Sequence, residues 1–192
     1  MSERLGVFGG TFDPIHVGHL VTAVNVRHSL GLEHVHLVVA NDPWQKSGTV
    51  GTPAADRLAM VAAAVADVPG LVASDIEIRR GSVSFTADTL RDLGDEHPGA
   101  ELFLILGSDA AAGLLSWERV EEVRERATLV VVARPGAETM APPVGWSYHR
   151  LEVPRLEVSS TDLRARFVDG RPLEWLVTAP VQQVIRERGL YR

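Results

Sequence analysis

Cysteine is absent from the 192 residues, which excludes disulfides and thiolate metal sites. No apolar run approaches the ~20 residues of a membrane span. Glu3 and Arg4 precede only a brief apolar stretch, without the long core and cleavage site of a secretory signal. A cytoplasmic setting and no membrane contact are therefore expected. Positive charge is also in deficit. Lys and Arg number 19 against 25 Asp and Glu, for a net charge of −6, which argues against a nucleic-acid partner. Lysine is reduced to a single residue, Lys46. Repeats, low-complexity tracts and linkers are missing, so residues 1–192 read as one domain. A domain of this length buries roughly 70% of its unfolded surface and needs no staple.

What is present alternates. Apolar or β-branched runs at 4–9, 34–40, 71–78, 101–106, 128–133 and 148–153 read as strands, the last as an edge strand. Helical spacing marks 18–30, 54–67, 84–94, 160–168 and 180–188. Strands alternating with helices predict a doubly wound, mostly parallel α/β sheet of the Rossmann-like kind, with helices at the C-terminal end. In such sheets ligands bind beyond the carboxyl ends of the strands, where the strand order reverses. His34 and His36 alternate on one strand, and edge or surface positions are expected for them.

The richest stretch follows the first strand: Gly9-Gly10-Thr11-Phe12-Asp13-Pro14-Ile15-His16-Val17-Gly18-His19. It lays out a strand, a glycine turn and a helix start. Free N–H groups and partial positive charge at a helix start attract phosphate. Histidines there add donors able to charge near neutral pH. Two common phosphate sites fail on spacing. The dinucleotide fingerprint Gly-x-Gly-x-x-Gly is not met, and no lysine follows a glycine pair as a P-loop requires. Near the C-terminus stands Val158-Ser159-Ser160-Thr161-Asp162-Leu163-Arg164, where a serine would cap a helix start with an arginine one turn in.

Together these two stretches resemble the two signature motifs of the nucleotidylyltransferase superfamily. The intervening features are most similar to those of the bacterial nicotinate-nucleotide adenylyltransferases. They are Ser84 to Leu90, Leu106-Gly107-Ser108-Asp109, Trp117, Arg134-Pro135-Gly136, and the run from Ala179-Pro180-Val181 to Gly189-Leu190-Tyr191. The resemblance covers nearly the whole chain in order. Departures are Phe85 where tyrosine is common, Val177 near the final proline, and an unusual 42–52 loop carrying Trp44.

The resemblance implies transfer of AMP from ATP to nicotinate mononucleotide. His16, His19, Thr11 and Arg164 would align and neutralise the reacting phosphates. Gly9, Gly10, Phe12, Gly18, Gly107, Asp109, Ser159, Ser160 and Thr161 would line the ATP site. Lys46, Thr86, Trp117 and Arg134 would serve the nicotinate mononucleotide, with Lys46 also able to close over the phosphates. Mg²⁺ would come in through the ATP phosphates, with no protein ligand for the metal. The partners are these two small molecules. Phosphopantetheine adenylyltransferase shares the first motif and is the competing enzyme. A preference for nicotinamide mononucleotide is a further variant, and an ATP sensor without turnover is the competing non-enzyme.

Overall fold

The computed structural model describes residues 2–43, 51–133, 142–154 and 156–192. Strand β1 (Arg4–Gly10) leads through the glycine turn into α1 (Val17–Leu30), which ends at Gly31 in the left-handed conformation, φ 59°. Then come β2 (His34–Val39), α2 (Ala54–Val65), β3 (Leu71–Ser74), α3 (Ile76–Arg80) and α4 (Thr86–Glu96). The second half runs β4 (Glu101–Gly107), α5 (Ser108–Ala112), α6 (Val120–Arg126), β5 (Ala127–Ala133), β6 (Tyr148–Glu152), α7 (Ser160–Asp169) and α8 (Ala179–Arg188).

The six strands form one sheet in the order β3-β2-β1-β4-β5-β6. Every pairing is parallel. This is the expected Rossmann-like α/β fold, with β6 at an edge as the sequence suggested. The order reverses between β1 and β4, which pair from Arg4 opposite Glu101 to Val7 opposite Leu104. That is the switch point, so ligands are expected beyond Gly10 and Gly107.

Alternate residues of a strand face opposite sides, and the four central strands β2, β1, β4 and β5 feed two cores. On β4, Phe103 and Ile105 enter one core, while Leu102, Leu104 and Leu106 enter the other. Residues Ala23 of α1, Met60 of α2, Leu163 of α7 and Ile185 of α8 cover the first. Leu90 of α4, Ala111 of α5 and Val123 of α6 cover the second. Leu163 and Ile185 are fully buried. Each contributes roughly 1.5–3 kcal/mol, so α7 and α8 belong to the core and are not an appendage on it.

Two expectations change. The strand read over 71–78 stops at Ser74, and Ile76–Arg80 is helical. Ile76-Glu77-Ile78 alternates like a strand, but Asp75 accepts from the Arg79 backbone N–H, its side chain accepts from the Arg79 guanidinium, and Gly81 closes the turn at φ 72°. His36 is not at an edge or surface: β2 lies between β1 and β3, and the residue is buried. Its ring meets that of His97 edge-on at 5.5 Å, and His97 faces Glu3 at 3.1 Å. Burial, helped by His97 and His34, pushes the His36 imidazole down to about 4, against the opposing pull of Glu3 and Glu96.

Candidate active site

Two clefts open at the carboxyl ends of the central strands. The larger, about 910 Å³, is lined by the glycine turn, the α1 and α7 starts, and the β4–α5 junction. The smaller, about 250 Å³, lies between that turn, α3, α4 and Trp117. Gly10, Thr11 and Ala110 line both. A group held in one cleft can therefore meet a group held in the other beside Thr11.

The local sequence explains the turn. Phe12 takes a left-handed φ of 51°, a conformation that is uncommon for a bulky residue. Its ring is buried and packs edge-on to Phe8 and His19, at 6.0 and 5.0 Å. Gly10 makes room for it, because a Cβ there would stand 2.7 Å from the Phe12 ring. Phe12 thus shapes the cleft through its backbone while its side chain serves the core. A Cβ on Gly18 would meet His16 and Val158 at 3.1 Å, so that glycine lets the α1 and α7 sides close together.

His16 and His19 both border the larger cleft. The His16 backbone N–H donates to His19 Nδ1 at 3.3 Å. An accepting Nδ1 carries no proton, which puts the proton of neutral His19 on Nε2 as a donor. His16 is buried, and that desolvation pushes its pKa down to about 4. It is therefore neutral at pH 7 in the free protein and does not supply the cationic donor the sequence suggested. Its polar contribution is the hydrogen-bonding capacity of a neutral ring.

The opposite wall is α7. Ser159 is its N-cap and accepts from the Asp162 N–H at 3.2 Å. Ser160 Oγ donates to the Pro14 carbonyl at 3.0 Å, and Arg164 donates to the Asp13 carbonyl at 2.7 Å. These bonds tie the second motif to the first across 146 and 151 positions, respectively. Gly107, Asp109, Ser159, Ser160, Thr161 and Arg164 all line the larger cleft. Gly9, expected on the same side, lines the smaller one with Thr86 and Trp117. Thr86 opens α4, whose N-cap Phe85 offers no side-chain acceptor to the helix's first N–H groups. Lys46 and Arg134 lie outside the described residues.

Four residues near the clefts were not singled out from the sequence. Arg57 is almost fully buried and donates to the carbonyls of Thr11 (2.8 Å), Thr52 (3.1 Å) and Asn41 (3.3 Å). The available signal was its phase: Arg57, Met60, Val61 and Ala64 share one helical stripe, and all are buried. Asp13 is buried and accepts from the Tyr191 hydroxyl at 2.5 Å. Glu77 lines the smaller cleft; its Oε1 accepts from Thr89 at 2.5 Å, and its buried Oε2 has no hydrogen-bond partner among the described residues.

A glycine turn thus faces a capped helix across the larger cleft, and the chain is of the nucleotide-transferring class of enzymes. The cytidylyltransferase-like family profile matches residues 7–166, and the chain belongs to that family. More particularly, it is 44% identical to the "Probable nicotinate-nucleotide adenylyltransferase" of Mycolicibacterium vanbaalenii, over 99% of this chain and 92% of that protein. A protein of the same description from Leifsonia xyli subsp. xyli is 45% identical, over 98% and 94%. The fold also matches the solved structure of Plasmodium falciparum nicotinic acid mononucleotide adenylyltransferase complexed with NaAD. There the TM-score is 0.77 at 18% identity, covering 98% of this chain and 97% of that one.

Proposed function

We propose that the chain is a nicotinate-nucleotide adenylyltransferase, transferring the AMP moiety of ATP to nicotinate mononucleotide with release of pyrophosphate. The observation that carries this reading is the pair of clefts sharing Gly10, Thr11 and Ala110. The larger cleft takes ATP and the smaller takes the pyridine mononucleotide, so their phosphates meet at Thr11.

An oxygen of the acceptor phosphate attacks the α-phosphorus of ATP. The bond from that phosphorus to the bridging oxygen breaks, and pyrophosphate leaves with the electron pair. The acceptor phosphate, with a second pKa near 6, is largely ionised at neutral pH, and no general base is required. The protein supplies alignment and charge stabilisation. His19 Nε2–H, the α1 start, Ser160, Thr161 and Arg164 act on the triphosphate. Gly107 and Asp109 act on ribose and adenine. Trp117 stacks on the pyridine ring, and the uncapped N–H groups at the start of α4 receive the nicotinate carboxylate, which favours the acid over the amide.

Among the described residues no group of three or more His, Cys, Asp or Glu could hold a metal ion. Mg²⁺ carried on the phosphate oxygens fits such a cleft, since it keeps phosphate and water as ligands. When bound it neutralises the leaving pyrophosphate. No helix among the described residues is long and apolar enough to cross a membrane. The enzyme so proposed is cytoplasmic and acts as one domain over residues 1–192.

A pyrophosphate-release assay with ATP tests the reading. Nicotinate mononucleotide, nicotinamide mononucleotide and phosphopantetheine are supplied in turn. Turnover is expected with the first. Turnover with phosphopantetheine alone, or tight ATP binding with no pyrophosphate from any acceptor, overturns it.

A further inference from the structure

We infer that Tyr191 is a positioning residue for the transfer: its hydroxyl holds the Asp13 carboxylate, which keeps the Thr11–Asp13 turn shaped and leaves Arg164 available to the triphosphate. The inference rests on the proposed function.

Tyr191 and Asp13 lie 178 positions apart, yet the phenol donates to Asp13 Oδ1 at 2.5 Å. The phenol is also bonded by the Thr52 side chain, stands 3.8 Å from Met60 Sδ, and its ring lies 5.6 Å from that of Phe167. Burial and the neighbouring carboxylate push its pKa far up, so it stays protonated and a donor. Tyr191 adopts a left-handed φ of 57°. A non-glycine residue keeps such a conformation only where its surroundings over-determine it.

Asp13 has a competing partner. Arg164 donates to the Asp13 backbone carbonyl at 2.7 Å, and its guanidinium stands 3.9 Å from Oδ2 of the same residue. A carboxylate released from the phenol would swing to that guanidinium and form a charge-assisted pair. The pair would draw the positive charge away from the phosphates. The phenol therefore holds the Arg164–Asp13 ion pair at 3.9 Å and keeps it from tightening, and the same bond braces the turn that presents Thr11 to both clefts.

Tyr191→Phe removes the hydroxyl and keeps the ring packing. It is expected to lower kcat/KM for ATP about 10-fold and to leave KM for nicotinate mononucleotide within about two-fold. A melting temperature that falls while kcat/KM for ATP stays within about two-fold of wild type would assign the bond to stability alone and overturn the inference. The Asp13→Asn background isolates the path, since an amide cannot capture Arg164 as a carboxylate does. Adding Tyr191→Phe there is expected to cost less than about two-fold; a further 10-fold loss overturns the proposal. That comparison also serves if the single variant fails to melt cooperatively. The wild-type rate in the same assay tests the reaction itself. If wild type transfers to no acceptor, Mg-ATP affinity by calorimetry carries the inference. An approximately 10-fold weakening in Tyr191→Phe is then expected, and unchanged affinity overturns it.

Discussion

The rings of His16 and His19 stack, with centroids 3.7 Å apart and planes 28° from parallel, while the His16 backbone N–H bonds to His19 Nδ1. One histidine thus sets the tautomer of the other, leaving the proton of a neutral His19 on Nε2. His19→Ala is expected to keep the fold and to lower kcat by about 10²–10³, the scale of losing one preorganised donor. Steady-state kinetics with a melt of the same sample checks this. Near-wild-type turnover in folded protein would sink the assignment.

The two buried histidines make stability depend on pH. His16 and His36 are both pushed down to about 4 from an ordinary value of 6.5. Between pH 6.5 and 4 the unfolded chain takes up protons that the folded chain refuses. Stability is therefore complete above 6.5 and falls as pH drops through this window, by on the order of 3 kcal/mol for each histidine. Below about pH 4 these two groups add no further loss. Thermal melts of wild type and His36→Gln from pH 8 to 4 should show a shallower decline in the variant. Parallel curves would remove His36 from the explanation.

Arg57 anchors three backbone carbonyls from two loops, at Thr11, Asn41 and Thr52. Arg57→Met fills much of the space but leaves those acceptors without their donor. The expected cost is roughly 2–4 kcal/mol, or about 5–15 °C in melting temperature. Chemical denaturation reads it directly. A change under about 0.5 kcal/mol would mean that water replaces the guanidinium without penalty.

The division into two clefts predicts a division of kinetic effects. Trp117→Ala should raise KM for nicotinate mononucleotide about 3–10-fold through lost stacking with little change in KM for ATP. Ser160→Ala and Arg164→Met should act chiefly on ATP. Initial-rate measurements varying each substrate separate the two, and a Trp117 variant altered only toward ATP would contradict the assignment.

The fold was legible because its strands are short apolar runs bounded by glycine, proline and polar turns. The exception, Ile76–Arg80, shows the limit: two isoleucines two apart satisfy strand periodicity, and only the Asp75–Arg79 pairing and Gly81 decide for a helix. The two walls of the larger cleft were legible because each is local, written within residues 9–19 and 158–164. Arg57, Asp13 and Tyr191 were not. A buried arginine and a surface arginine are spelled alike, and what distinguishes Arg57 is the set of carbonyls gathered around it, from Thr52 five residues away to Thr11 46 away. His36 was misplaced for a related reason. Whether a strand is central or at an edge depends on where other strands insert, and β3 lies beyond β2 only because of the sheet order.

The wall shared by the two clefts at Gly10, Thr11 and Ala110 has a consequence for the end of the catalytic cycle. In the proposed reaction each substrate takes one cleft, and the dinucleotide product spans both through a single covalent link. Its second half rebinds at the high effective concentration that tethering provides. The product therefore leaves more slowly than either substrate, and both ends must let go together. On the proposed reading, departure of the dinucleotide rather than the bond exchange at Thr11 is expected to limit turnover.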